Sequence, residues 1–326
     1  MLALIRTHNE VKNKRILFLN PAEDPALQRT VHRALAATGC NVFVASGGDD
    51  AQRYLAAGCD LVLLNYDEGG ESVRALANQL LSRQDCPTVL LSQKKEKEHL
   101  IHLFSHDQLR NLIARNNEVS EAELMITTEK LLRQDIFGME KYLTWGAHLE
   151  EEPVHDSLEK TDQVARVGRF VEQLKCDARF VKAAQVVADE LLMNALYDAP
   201  IGADGKSLYA HKPRSERVTL SSKDQATLRY GSDGRYFAIA CRDHFGSLRA
   251  QTVVQYLKKC FLHDENQVDT KAGGAGVGFY MVFQSLSQMI INIEPGKMTE
   301  TIGLIDIRTS YRDTKMRTKS FNIFIR

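Results

Sequence analysis

Five short apolar runs punctuate the first third of the chain: KRILFL at 14–19, NVFVA at 41–45, DLVLLN at 60–65, PTVLLS at 87–92 and NLIAR at 111–115. Between them apolar residues recur at helical spacing, over 25–38 up to Gly39, over 51–58 closed by Gly58, over 72–83 and over 96–104, and a longer helical pattern starts at Ser120. Continuous apolar runs too short for helices, separated by amphipathic segments, predict strands buried on both faces and joined by helical crossovers. The right-handedness of such crossovers makes this an α/β unit: a doubly wound five-stranded parallel sheet whose site lies past the carboxyl ends of its strands.

The pattern changes after residue 130. The stretch 130–160 carries Gly138, Gly146 and Pro153, the single tryptophan Trp145 and the acidic cluster Glu150 to Glu152. Its apolar residues Ile136, Phe137, Tyr142, Leu143 and Trp145 are too many for a free tether, so it reads as a joint that glues domains together or forms a dimer contact. A helix over 161–174 leads into a second over Val181 to Tyr197. The hydrophilic segment from Asp198 to Ser222 is longer than ordinary connections and reads as an insertion covering one side of a pocket. LRYGSDGRYFAIACRD predicts a hairpin turning at Ser232-Asp233-Gly234. A helix over Leu248 to Phe261, the polar run HDENQVDTKAGG, the loop GGAGVGF with its helix, the strand pair MIINIEPG and TIGLIDIR, and a last strand SFNIFI complete an α/β sandwich with a mixed sheet. The expected domains are 1–129, the joint 130–160, and 161–326.

At 326 residues and 44% apolar content the chain is long enough for two cores. Its 42 basic residues balance 42 acidic ones, which argues against a nucleic-acid or membrane-surface partner. The six cysteines form no CxxC pair and sit in or beside apolar runs, which suits buried free thiols in a reducing compartment. No run is apolar and long enough to span a bilayer, and MLALIRTHNE lacks the apolar core of a signal peptide. The reading is a soluble, cytoplasmic protein.

Three stretches carry candidate chemistry. Glu190 and Asn194 fall one helical turn apart, where an amide oxygen can ligate a divalent metal and a carboxylate beside it can act as a base. Asp243 ends a strand-like run, and a buried carboxylate there can accept a hydrogen bond from an exocyclic amine such as that of adenine. Gly274, Gly276 and Gly278 let the backbone approach a ligand closely before a helix whose first N–H groups face an anion. In this order and spacing the second half resembles the GHKL ATPase superfamily of gyrase, MutL, the 90-kDa heat-shock chaperones and the histidine kinases. Glu190, Asn194 and Ala195 match its asparagine box, Gly274, Gly276, Gly278 and Phe279 its second glycine box, and Asp243 with Gly246 a first glycine box whose glycines are displaced.

The resemblance implies a Bergerat fold binding ATP and magnesium. Glu190 is then the catalytic base, Asn194 the magnesium ligand through ATP, and Asp198, Asp243, Gly246, Lys271, Gly274, Gly276 and Gly278 the remaining nucleotide contacts. His155, followed by an acidic residue as in the phospho-acceptor box of histidine kinases, lies too close to Asn194 for a helical hairpin between them and reads as a surface or capping residue. Without that hairpin the half looks most like the anti-sigma-factor serine kinases.

The first half resembles the receiver domain of response regulators, most closely at CDLVLLNYDEGG. The phospho-acceptor position holds Asn65, which cannot form an acyl phosphate. The acidic pair after the first strand is replaced by Asn20, Pro21 and Ala22, with Glu23 and Asp24 further on. Ser92 keeps the hydroxyl position and Arg115 stands where relatives carry a lysine. Asp67 reads as a solvated loop carboxylate. Together the resemblances imply a bacterial signalling protein: a serine/threonine kinase or ATPase acting on a signalling partner such as an anti-sigma antagonist, with a pseudo-receiver as regulatory module and a homodimer as its simplest assembly. The alternatives are an ATP-dependent interaction switch without catalysis and, behind it, a histidine kinase using His155.

Overall fold

The computed structural model describes residues 11–67, 70–116, 120–262 and 275–326. The chain is α/β and divides into two compact units, residues 1–136 with 320–324, and residues 137–319 with 325–326. Among the described residues no helix is long and apolar enough to cross a membrane. All six cysteines are free thiols, four of them buried.

In the first unit the five expected strands are present: β1 (Arg15–Leu19), β2 (Asn41–Ala45), β3 (Leu61–Asn65), β4 (Thr88–Ser92) and β5 (Asn111–Ala114). They pair in parallel in the order β2-β1-β3-β4-β5. The helices between and after them are α1 (Pro25–Ala36), α2 (Gly48–Ala56), α3 (Gly70–Leu81), α4 (Lys97–Ser105) and α5 (Glu121–Arg133). Helix α1 starts where it does because Asp24 accepts hydrogen bonds from the amides of Ala26 and Leu27, and Pro25 spends no donor at the first position. One sheet face, with Ile16, Phe18, Leu63, Val89 and Ile113, shares a core with Val31 of α1 and Leu124 of α5. Their strand neighbours Leu17, Val62, Leu64, Leu90 and Leu112 point the other way and are equally buried. Both faces are therefore covered, as the unbroken apolar runs predict.

A sixth strand joins this sheet from the far end of the sequence. SFNIFI, expected in the second half's sheet, forms β11 (Ser320–Ile325) and pairs antiparallel with β5, Phe321 opposite Leu112. Phe321 is edge-on to Phe104 at 5.5 Å, the Ser320 hydroxyl accepts from the Ala114 amide at 2.9 Å, and Lys130 places its ammonium 4.1 Å from the centre of the Phe324 ring.

The second unit contains β6 (Leu149–Val154), α6 (Lys160–Gln173), α7 (Ala178–Met193), β7 (Ala226–Ser232), β8 (Tyr236–Asp243), α8 (Ala250–Leu262), α9 (Ala275–Ser285), β9 (Gln288–Glu294), β10 (Met298–Asp306) and the short α10 (Tyr311–Met316). Its strands pair in the order β9-β10-β8-β7-β6, and each of these four pairings is antiparallel. Helix α7 lies against α6, α9 and β8, and α9 against α8. The β7–β8 hairpin turns where the sequence places it, with the Asp233 carboxylate accepting from the Arg235 and Tyr236 amides.

The joint does not behave as one piece. Ile136 is buried, Met139 and Tyr142 are buried within a 3-10 turn (Met139–Tyr142), and Trp145 is fully exposed at 100%. The acidic run Glu150 to Glu152 is strand β6, hidden from sequence analysis because three glutamates and a proline erase any apolar alternation. Glu151 and Glu152 are held by Arg229 and Arg166.

The sixth strand predicts a mutational result. Phe321→Ala should cost about 3–5 kcal/mol, read as a lowered urea midpoint; an unchanged midpoint would mean that β11 does not complete the first unit's core.

Candidate functional site

The second unit encloses a cavity of about 370 Å³ between the end of α7, the end of β8, the start of β10 and the start of α8. Each wall follows from a local rule. Helix α7 begins under Asp177, whose carboxylate accepts from the Arg179 amide, and buries Phe180, Val187 and Leu191 at helical spacing. The expected regular helix to Tyr197 instead widens into a π turn over Asn194–Asp198, closed by Ala199 N–H donating to the Asn194 carbonyl at 2.8 Å. A π turn adds one residue to the circuit and recurs at functional sites. Asn194, Ala195 and Asp198 all line the cavity.

Asp243 enters from the last position of β8. It is only 7% exposed. Its Oδ1 accepts from the amides of Phe245 at 2.9 Å and Gly246 at 3.2 Å. Burial pushes its carboxyl above the usual carboxylate range, and the two backbone donors and the Thr299 hydroxyl pull the other way. Thr299 of β10 stands directly opposite in the register and is also buried. A buried carboxyl and a hydroxyl side by side in a cavity wall form a recognition edge for a group carrying both a donor and an acceptor.

Asn194 carries an unpaired buried atom, its amide nitrogen as assigned. Amide nitrogen and oxygen exchange places on a flip, so the residue offers the cavity either a donor or a ligating oxygen. Asp198 is engaged by Arg214, whose Nη2 donates to both carboxylate oxygens at 2.8 and 2.9 Å. The Arg214 guanidinium lies 5.0 Å over the Tyr197 ring, and the Tyr197 hydroxyl donates to the Glu216 carbonyl at 2.7 Å. This fixes the 199–222 segment against the end of α7, and Ala199 and Ala210 of that segment form cavity wall.

Glu190 is placed differently from Asn194. It does not line the cavity among the described residues. Burial first, and the Asp198 charge second, push its carboxyl up to about 7. A methyl group added at Gly278 would lie only 1.8 Å from Glu190 Oε1, so Gly278 is the gap that admits this carboxylate under α9. Gly276 and Gly278 thus belong to α9, which starts at Ala275, and not to a loop ahead of it. Lys271 and Gly274 lie outside the described residues. Gly246, at φ +58°, is shaped by a neighbour: a Cβ there would meet the Glu294 carbonyl at 2.2 Å. It holds the β8 end against the β9–β10 turn and does not line the cavity.

Thr299, Thr301, Cys241, Arg249 and Tyr256 line the cavity without having been singled out in the sequence. The signal for the threonines was the alternation in MTETIGLID, which puts Thr299 and Thr301 on one face; which face required the register with β8.

His155 is exposed and faces Glu159 at 3.3 Å, consistent with a surface residue. In the first unit, the carboxyl ends of β1, β3, β4 and β5 bring together Asn20, Asn65, Asp67, Ser92 and Arg115. Asn65 is buried and donates to Asn20 Oδ1 at 3.0 Å. Asp67 corrects the sequence reading: it is 4% exposed, not solvated. It accepts from Ser92 Oγ at 2.7 Å and from the Gln93 amide at 2.8 and 2.9 Å. The buried Arg115 reaches Asp24 at 3.5 Å and Asp67 at 3.6 Å. No group of three or more metal-ligating side chains forms among the described residues.

No family model matches the chain, and no curated protein matches its sequence.

The Glu190 environment sets a pH dependence. A carboxyl near 7 in the fold and near 4.5 in the unfolded chain keeps its proton in the fold while the unfolded chain releases it, so stability falls as pH rises from about 4.5 to about 7. Glu190→Gln should be more stable than the parent at pH 8, by up to about 3 kcal/mol at about 1.4 kcal/mol for each pH unit, and should lose that advantage near pH 4.5. Urea titrations of both proteins at the two pH values measure it; parallel curves would refute the buried carboxyl.

Proposed function

We propose that the second unit binds ATP with magnesium and that the protein works as a signalling switch whose first unit is a regulatory module. One observation carries the reading: a buried carboxyl and a hydroxyl, Asp243 and Thr299, stand side by side in the wall of a nucleotide-sized cavity. Adenine presents the complementary edge, an exocyclic amine beside a ring-nitrogen acceptor. Asp243 takes the amine and Thr299 the ring nitrogen.

Asn194 is the residue that would hold magnesium, through its amide oxygen once the side chain is flipped from the orientation that leaves its nitrogen unpaired at the cavity wall. The ion supplies charge neutralisation on the phosphates. Lys271 and the 274–278 glycines are the chain's further contribution toward phosphate, and Arg249, at the cavity wall, is a second cation on that side. Resemblance to the anti-sigma-factor serine kinases suggests the partner class, a signalling protein bearing a serine or threonine, and a homodimer as the simplest assembly.

Whether phosphate moves depends on Glu190. A base must reach the hydroxyl it deprotonates. Among the described residues Glu190 lies off the cavity wall and against Gly278, which favours the non-catalytic version: ATP binding changes a partner surface. Transfer to a partner requires α9 to release Glu190. For the first unit the reading is a receiver-like module without acyl-phosphate chemistry. Asn65 has no carboxylate to phosphorylate, and the oxygens of Asp67 are occupied by Ser92, Gln93 and Arg115.

Two measurements test these assignments. Replacing an acceptor buried against a bound donor costs about 1–3 kcal/mol, so Asp243→Asn should weaken ATP binding about tenfold or more by calorimetry; equal affinity would remove Asp243 from the adenine edge. Acetyl phosphate should add no mass to the first unit, and a phosphate mapped to Asp67 would overturn its assignment as inert.

A further inference from the structure

Strands β8 and β10 have two faces, and the one turned away from the cavity holds a buried acid of its own. Glu300 is completely inaccessible to solvent. Its Oε1 accepts from Arg242 Nη2 at 2.8 Å, and its Oε2 accepts from Asn292 Nδ2 at 2.9 Å and from the Gly138 backbone amide at 2.8 Å. Burying a carboxylate this deeply is tolerated only with such a complete set of partners. The register puts Glu300 opposite Arg242 immediately beside the pair Thr299 opposite Asp243. The ion pair and the cavity's recognition edge are thus successive rungs of one ladder, on opposite faces.

The third donor comes from far away in sequence. Gly138 takes φ 109° and ψ 108°, a conformation that only glycine adopts readily, and this delivers its N–H to Glu300. From there the chain turns through Met139–Tyr142, with Met139 and Tyr142 buried, and Thr144 donates from its amide and its hydroxyl to Asp233 Oδ2 at 3.0 and 3.1 Å. The segment 137–144 is therefore fastened to the back of the two strands whose front carries Asp243 and Thr299.

We infer that Glu300 is a positioning residue which couples occupancy of the Asp243–Thr299 edge to the 137–144 segment, so that ligand binding tightens the segment and the segment, in turn, sets ligand affinity. The inference rests on the ATP reading above. A hydrogen-bonded strand pair is stiff along its rungs, and a displacement of Thr299 toward a ligand moves Glu300, whose three donors leave it no slack. Coupling of this kind is reciprocal by thermodynamic necessity.

Hydrogen exchange with and without ATP and magnesium tests it on the full chain, for the parent, Glu300→Gln and Gly138→Ala. The glycine variant leaves the whole sheet intact and strains only the segment, which guards against a glutamine variant that fails to fold. In the parent, saturating ATP should slow exchange of the 137–143 amides. Gly138→Ala should abolish that protection and weaken ATP binding about fivefold or more, although no atom of Gly138 lines the cavity. A purely structural role for Glu300 would lower stability and leave the parent's exchange at 137–143 indifferent to ATP. Binding by the parent without protection of 137–143, or variants that keep the parent's affinity or its protection, overturns the coupling alone. A parent that binds no ATP overturns the nucleotide reading and the coupling with it.

Discussion

The second unit depends on keeping carboxyl groups out of water. Asp243, Glu190, Asp198 and Glu300 each give up hydration, and each is offset in a different way: by two backbone amides, by holding a proton, by one guanidinium, and by three donors at once. These compensations fix the geometry around the cavity. The Asp243 turn requires Gly246, the Glu190 carboxyl requires a bare Gly278, and the Asp198 pair pins the long segment after α7. Gly246 and Gly278 are thus places where a neighbour in the chain needs the space.

Much of this was legible beforehand, and the reasons are physical. Strands β1, β3, β4 and β5 are visible because strands buried on both faces must be apolar throughout, and the β7–β8 hairpin because its turn needs asparagine- or glycine-like residues. Glu190, Asn194 and Asp243 could be picked out from a helical spacing, a strand end and the resemblance these carry, and of the three Asn194 and Asp243 line the cavity. What local spacing does not contain is register. Thr299 acquires meaning only from standing opposite Asp243, Glu300 only from standing opposite Arg242, and Gly138 only from reaching Glu300 from far along the chain. Strand β6 escaped notice for a different reason. An edge strand can be charged on both faces, and charge there keeps its unpaired backbone edge from pairing with another chain.

Asp67 illustrates the limits of composition-based reasoning in the first unit. An aspartate two residues past a strand, followed by glycines, has the local look of a solvated loop. The fold places it where the ends of neighbouring parallel strands converge, and there Ser92, the Gln93 amide and Arg115 close around it. The result is a cluster in which Asp67 is hydrogen-bonded and paired with a cation, in the position where open sheets of this kind keep a site. Arg115 supplies fixed positive charge there, and that charge is covalently part of the protein.

Strand β11 bears on how the molecule is made. The first unit is encoded mostly at the beginning of the chain, yet its sheet includes residues 320–324. Domains near the amino end ordinarily fold while synthesis continues behind them. Here the nascent sheet emerges with β5 as a bare edge and Phe104 uncovered, and stays so until residues 320–324 have been translated. During that interval the exposed edge is open to mispairing, and a chaperone that shields it would act on the first unit at a time set by the length of the second.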